Sequence, residues 1–189
     1  SVFLIITALV FTYFQFFNVK KPIIDDYSIA VLPFDNLSTD DDAEIFRDGM
    51  TEDILTNLSK LKGLHVISRT SVMQYKETKK TIPEIAKELG VAYILEGSIR
   101  KYGDKIRVSA QLIEASSDEH IWANNYDKTL IDIFKIQSEV SKQIADALHL
   151  SISYEEKQNF DVIPTQNIDA YKLFLKGRQE ADKRNTESI

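Results

Sequence analysis

The chain has 189 residues, 43% of them hydrophobic and 28% charged, and a formal charge of −6. That length holds one core of about 100–150 residues with attachments, and the negative balance without a Lys/Arg stripe argues against a nucleic-acid surface, which needs clustered cations. Without cysteine there is no disulfide, thiolate metal site, cysteine-borne lipid or thiol redox chemistry.

Residues 1–19, SVFLIITALVFTYFQFFNV, carry no charge and are followed by Lys20 and Lys21. At 1.5 Å per helical residue they cross a hydrocarbon layer of about 30 Å. Their aromatics crowd the end beside the lysines, as at a membrane interface. FFNVKK offers no small-residue cleavage site, so the segment reads as one transmembrane helix rather than a signal peptide. The lysines favour a cytoplasmic carboxyl side. The chain opens without methionine and stops within a helical pattern, and so reads as part of a longer polypeptide.

Residues 20–27 form a connector. Ile29–Leu32, a short apolar run stopped by Pro33, predicts a strand buried on both faces. From Ile45 the apolar residues Phe46, Met50, Ile54, Leu55, Leu58 and Leu61 recur at helical spacing, with Gly63 as a stop. LHVISRTSV predicts a second strand. TIPEIAKELG predicts a helix with Thr81 and Glu84 at capping-box spacing, Pro83 in its first turn and Gly90 after its end. VAYILEGSIRKYG is a third strand with Gly97 as a bulge. KIRVSAQLIEA alternates as a half-buried antiparallel strand, and HIWANNYD is the last strand. Asp132 introduces a helix with Ile133, Ile136, Val140, Ile144 and Leu148 on one face. The order β-α-β-α-β-β-β-α defines an α/β sandwich with a mixed sheet.

Residues 36–50, NLSTDDDAEIFRDGM, pose the question of a metal site. The spacing lacks the D-x-[DN]-x-[DN]-G pattern of a calcium loop, and three consecutive aspartates diverge once a helix begins. The helix-start reading uses every residue: Ser38, Thr39 or Asp40 caps, and Asp41, Asp42 and Glu44 meet the positive end of the helix dipole. His65, His120 and His149 have no paired ligand spacing, Ser98 lacks a nucleophile elbow, and the six glycines form no phosphate loop. No catalytic residue, metal or cofactor is expected.

The blocks SIAVLPFDNLS, FRDGMTEDI, VISRTSV, KELGVAYILEGSIR, KIRVSAQLIEA and HIWANNYD together resemble the TolB amino-terminal-like (FlgO-like) domain over about residues 28–150. The resemblance implies a three-layer α/β/α sandwich, similar to anticodon-binding domains, with five strands in the order 2-1-3-4-5. It also implies a bacterial setting. In such proteins a winged helix or nucleotide cyclase precedes a single inner-membrane span, the domain lies in the periplasm, and tetratricopeptide repeats follow. IDAYKLFLKGRQEADKRNTESI, residues 168–189 after a linker at 151–167, resembles the first helix of such an array. One unit cannot bury its own apolar face.

In that strand order, ligands favour the carboxyl ends of strands where the order reverses. Asn36, Ser38, Arg69, Ser71 and Ser98 are the residues placed there, with Arg69 suited to a small anionic ligand. The competing structural role is an Arg69–Glu96 ion pair, since a half-buried Arg needs a partner. The functional expectation is a non-catalytic, membrane-tethered sensor or protein-interaction domain with a protein partner. The alternatives are an envelope assembly module that receives a partner's strand or helix, and an accessory region of a cyclase or winged-helix regulator.

Overall fold

Ile29, Ala30 and Val31 have no exposed surface, as an apolar run in the middle of a parallel sheet requires. In this computed structural model, which describes residues 25–187 apart from 41 and 161, with side chains through residue 181, they form the central strand β1 (Asp25–Val31). The membrane span expected at 1–19 lies outside the described residues. Among the described residues no helix is long and apolar enough to cross a membrane.

After β1 come β2 (Asp35–Asn36), α1 (Ala43–Leu58), β3 (His65–Val66), α2 (Arg69–Met73) and α3 (Ile82–Leu89). The long strands β4 (Val91–Tyr102), β5 (Lys105–Glu114) and β6 (Glu119–Thr129) follow, then α4 (Ile133–Ala147), α5 (Tyr154–Phe160) and α6 (Ile168–Glu187). The sheet order is β3-β1-β4-β5-β6, with β2 also joined to β4. β1 runs parallel to β3 and β4, and β5 runs antiparallel to β4 and β6. The mixed α/β sheet expected from the sequence is observed, with one short strand added.

Alternation along β1 divides the interior. Ile29 and Val31 face the larger core, where Phe46, Met50 and Ile54 of α1 meet Ile136 and Val140 of α4. Ala30 and Leu32 face a smaller core with Val72, Tyr75 and Ile85, beneath α2 and α3. Each fully enclosed Leu, Ile, Phe or Met contributes about 1.5–3 kcal/mol, so the α1/α4 layer carries most of the stabilisation. α3 has the predicted punctuation: the Thr81 N–H donates to Glu84 Oε2 at 2.8 Å, and Gly90 closes the helix at φ 69°.

Three local expectations are corrected. The second strand is only His65–Val66; Ser68 is extended, the Ser71 N–H bonds the Ser68 carbonyl at 3.1 Å, and the chain coils into α2 so that Val72 enters the smaller core. Gly97 is not a bulge but pairs regularly with Ala110. It is glycine because a Cβ there would sit 2.6 and 2.7 Å from the Phe34 ring and against the Ser109 carbonyl. The shifts in register lie instead between Asp25 and Ile29 and between Leu112 and Ile113. Finally, no side chain caps α1, whose N-cap is Asp42; Asp40 Oδ1 accepts the Asp42 N–H at 3.0 Å.

Candidate functional site

The five residues expected at the strand ends do not converge. Asn36 Oδ1 accepts the Ser38 N–H at 2.9 Å, and Ser38 Oγ accepts the Lys101 N–H at 2.7 Å. Asn36 thereby closes a turn within the β2–α1 connection, and Ser38 pins that connection onto β4. Ser98 opposes Asp35 in the β2–β4 pair and lines a recess on the uncovered sheet face with Glu96, Ser109, Gln111 and Asn125. Arg69 and Ser71 do not line that recess. The Ser71 and Ser68 hydroxyls are 3.0 Å apart. The expected Arg69–Glu96 pair is absent: Arg69 Nε lies 3.2 Å from Glu52 Oε2, while Glu96 accepts from Gln111. Arg69 starts a helix aimed at α1 instead of ending a strand beside β4, and this separates the two groups.

The acidic run has another use. Lys101 Nζ reaches Asp40 at 2.5 Å, Lys76 reaches Glu44 at 3.0 Å, and Arg47 bonds Asp48 at 2.7 Å. Asp42 receives Lys172 and, at 3.6 Å, Lys176, both from α6. Arg178 of α6 reaches Glu52 at 3.4 Å. Lys172 holds the Asp42 carboxyl below its ordinary range. Of these acids Asp42 and Glu52, with Asp53 beside them, form the strip onto which the basic edge of α6 is laid. Exposed pairs of this kind contribute little individually, and apolar contact supplies the rest. Leu175 fills the notch left by Gly49, where a Cβ would meet both Leu175 methyls at 2.8 Å.

The seam has a buried polar centre. Tyr171 OH donates to Asp53 Oδ2 at 2.5 Å, and Gln137 Nε2 donates to the same oxygen at 2.9 Å. Burial pushes the Asp53 carboxyl up despite these donors and nearby Arg178 and Lys60, and burial with the adjacent Asp53 charge pushes the Tyr171 phenol up. The Tyr171 ring also meets Phe134 edge-on at 4.6 Å. Beside this cluster is a cavity of about 570 Å³, with walls from Phe134, Phe160, Val162 and Phe174.

The stretch expected as a linker carries α5, whose Phe160 belongs to the main core. Glu156 anchors it, accepting the Ser153 N–H at 2.7 Å and the Lys62 N–H at 3.0 Å. These donors, with the Ser153 hydrogen bond first, lower its pKa from 4.5 to about 2. A depressed carboxyl pKa stabilises the fold above its unfolded value, and the contribution is lost as pH falls through the folded value. Amide-exchange protection of residues 153–160 is expected to fall between pH 4.5 and about 2. Glu156→Gln should remove that dependence; an unchanged pH profile in the variant contradicts this anchoring role.

Asp53 and Gln137 were not singled out by sequence reasoning, and Tyr171 only as part of the repeat-like helix. A signal was present. Tyr171, Leu175 and Arg178 follow helical spacing, and Lys172 and Lys176 edge the same face, complementary to the acids of α1.

The architecture is a mixed α/β sheet backed by α1 and α4, with a carboxyl-terminal helix docked on α1. The fold is similar to TolB from Acinetobacter baumannii, with a TM-score of 0.50 and 20% identity over 64% of this chain and 28% of that one. A lipoprotein from Neisseria meningitidis, also 20% identical, gives a TM-score of 0.48 over 64% of this chain and 97% of its own. The family model described as HilA/YgeH-like transcriptional regulator, second domain, matches residues 25–147, and the chain belongs to that family. A Rhizobium meliloti (strain 1021) protein named "Putative adenylate cyclase 3" is 44% identical over 152 residues, 80% of this chain and 26% of that protein. The chain thus spans about a quarter of that relative's length.

Proposed function

We propose that this chain is a non-catalytic regulatory domain, tethered to a bacterial inner membrane through residues 1–19, that passes its state to neighbouring modules through α6. The observation that carries the reading is the α1–α6 seam: a buried Tyr171–Asp53–Gln137 cluster and a strip of ion pairs fix α6 to the sheet domain. A helix held this way moves with the domain on which it lies. The names of the relatives support a regulatory role, since similar sequence stands in a transcriptional-regulator family and in a protein named as an adenylate cyclase. In this reading the output chemistry belongs to another module, α6 opens a tetratricopeptide-like scaffold, and the soluble domain lies in the periplasm and meets a protein partner.

A domain exchange tests it. This chain replaces the matching stretch of the Rhizobium protein, and cyclic AMP is measured in cells. The exchange should preserve output, and Gly49→Leu, which removes the notch for Leu175 while improving the helix propensity of α1, should change it. Identical output from the exchange, the Gly49→Leu form and a form lacking the domain defeats the proposal.

A further inference from the structure

We propose that the cavity beneath α6 is a binding site for an organic monocation, a primary ammonium on an apolar, aromatic-sized body. At about 570 Å³ the space falls within the range of small-ligand sites, roughly 300–1,000 Å³. Its walls are unusually aromatic: Phe134, Phe160, Tyr171 and Phe174 all line it, and ring faces attract ammonium groups.

Two of its polar lining groups, Asp53 and Gln137, offer acceptor atoms. Asp53 Oδ2 is occupied by Tyr171 and Gln137. Asp53 Oδ1 has only the Arg178 guanidinium, at 3.9 Å and so beyond hydrogen-bond range. The Gln137 side chain is 3% exposed and its Nε2 is turned toward Asp53 and Tyr171; no described residue donates to its amide oxygen. The Asp53 side chain is 27% exposed, so its Oδ1, without a close donor, is open to an incoming group beside the rings, and a donor carrying positive charge suits it.

The mouth limits that charge to one. Lys60 and Arg178 stand at the rim, Arg178 lying over the Phe174 ring at 5.5 Å and 3.4 Å from Glu52. The single Asp53 carboxylate can pair with one ammonium, and Lys60 and Arg178 repel any positive charge placed elsewhere in the space, so a diamine is disfavoured. Tyr171 and Phe174 belong to α6, whereas Asp53 and Gln137 belong to the sheet domain, so an occupant would touch both sides of the seam.

The test is calorimetric titration of the full chain in lipid nanodiscs, with empty nanodiscs as reference, using three probes of one shape: phenethylammonium, 2-phenylethanol and 3-phenylpropionate. Phenethylammonium should bind at least tenfold more tightly than the alcohol, and the carboxylate least. Asp53→Asn should bring the amine down to the alcohol's affinity. Because Asp53 also secures α6, Phe174→Ala provides a second arm: Phe174 is 60% exposed and its truncation spares the core, yet it should weaken the amine several-fold. Equal binding of amine and alcohol, no binding of the amine, or an amine affinity unchanged by Phe174→Ala overturns the proposal.

Discussion

Gly97→Ala is expected to lower the stability of the domain by about 3 kcal/mol, the upper end of what an added methyl costs in a packed interior. The added Cβ has no direction of escape. It would meet the Ser109 carbonyl of the paired strand β5 and the Phe34 ring at 2.6 and 2.7 Å. A ring can rotate away, but the backbone of a central strand cannot move without breaking the Gly97–Ala110 pair and its neighbours. Phe34 is itself 1% exposed and its N–H is held by Thr51 Oγ1 at 3.2 Å, which leaves the ring little room. The check is urea denaturation of wild type and variant at equal slope. A loss below about 1 kcal/mol would show that Phe34 repacks and that the close approach is not required.

Tyr171→Ala should release α6 while the sheet remains folded. Truncating a large buried aromatic costs about 3–5 kcal/mol. Here the truncation also leaves Asp53 without its shortest hydrogen bond, at 2.5 Å, and removes the edge contact with Phe134. The loss falls on the seam, because the hydrogen bonds and ring contacts of Tyr171 are to Asp53 and Phe46 of α1 and to Gln137 and Phe134 of α4. Hydrogen exchange should therefore show amides of 168–181 losing protection while those of β4 and β5 keep theirs. Tyr171→Phe retains the ring and should lose only the polar part, about 1–3 kcal/mol for an under-satisfied buried carboxylate. Uniform loss of protection across the sheet in Tyr171→Ala would mean that α6 is part of the cooperative core rather than a docked attachment.

The difference between these two sites reflects what a sequence displays. β1, β4, β5 and α4 could be read because their apolar residues recur at the period of the element that buries them: Ile106, Val108, Ala110 and Leu112 by twos, Ile133, Ile136, Val140 and Ile144 by threes and fours. α3 carried explicit end signals in Thr81, Glu84 and Gly90. Local signals misled where two states share a composition. VISRTSV suits a strand, but Ser68 and Ser71 suit a helix start equally well, and only the position of the smaller core selects the helix. Gly97 was identified as special, but the reason is a ring 63 positions earlier, and no local pattern encodes that. The candidate site was the least legible part. Arg69 was placed beside β4 on the premise of a longer strand, and the shorter strand directs it to Glu52. Asp53, Gln137 and Tyr171 come from three helices, each ordinary in its own segment, and only their meeting makes them a site.

The separation along the chain between α1 and α6 has a consequence for biosynthesis. Asp53 and Tyr171 are 118 residues apart, and Asp42 and Lys172 are 130 apart. The sheet and α4 are complete at Ala147, before any residue of α6 has been made. At about 5–20 residues per second, the ribosome needs roughly 1–6 s more to reach Leu175. For that interval the nascent domain has a formed acidic strip and an open Gly49 notch, and any basic helix nearby can occupy them first. The intramolecular partner arrives late but tethered, so its advantage is effective concentration rather than timing.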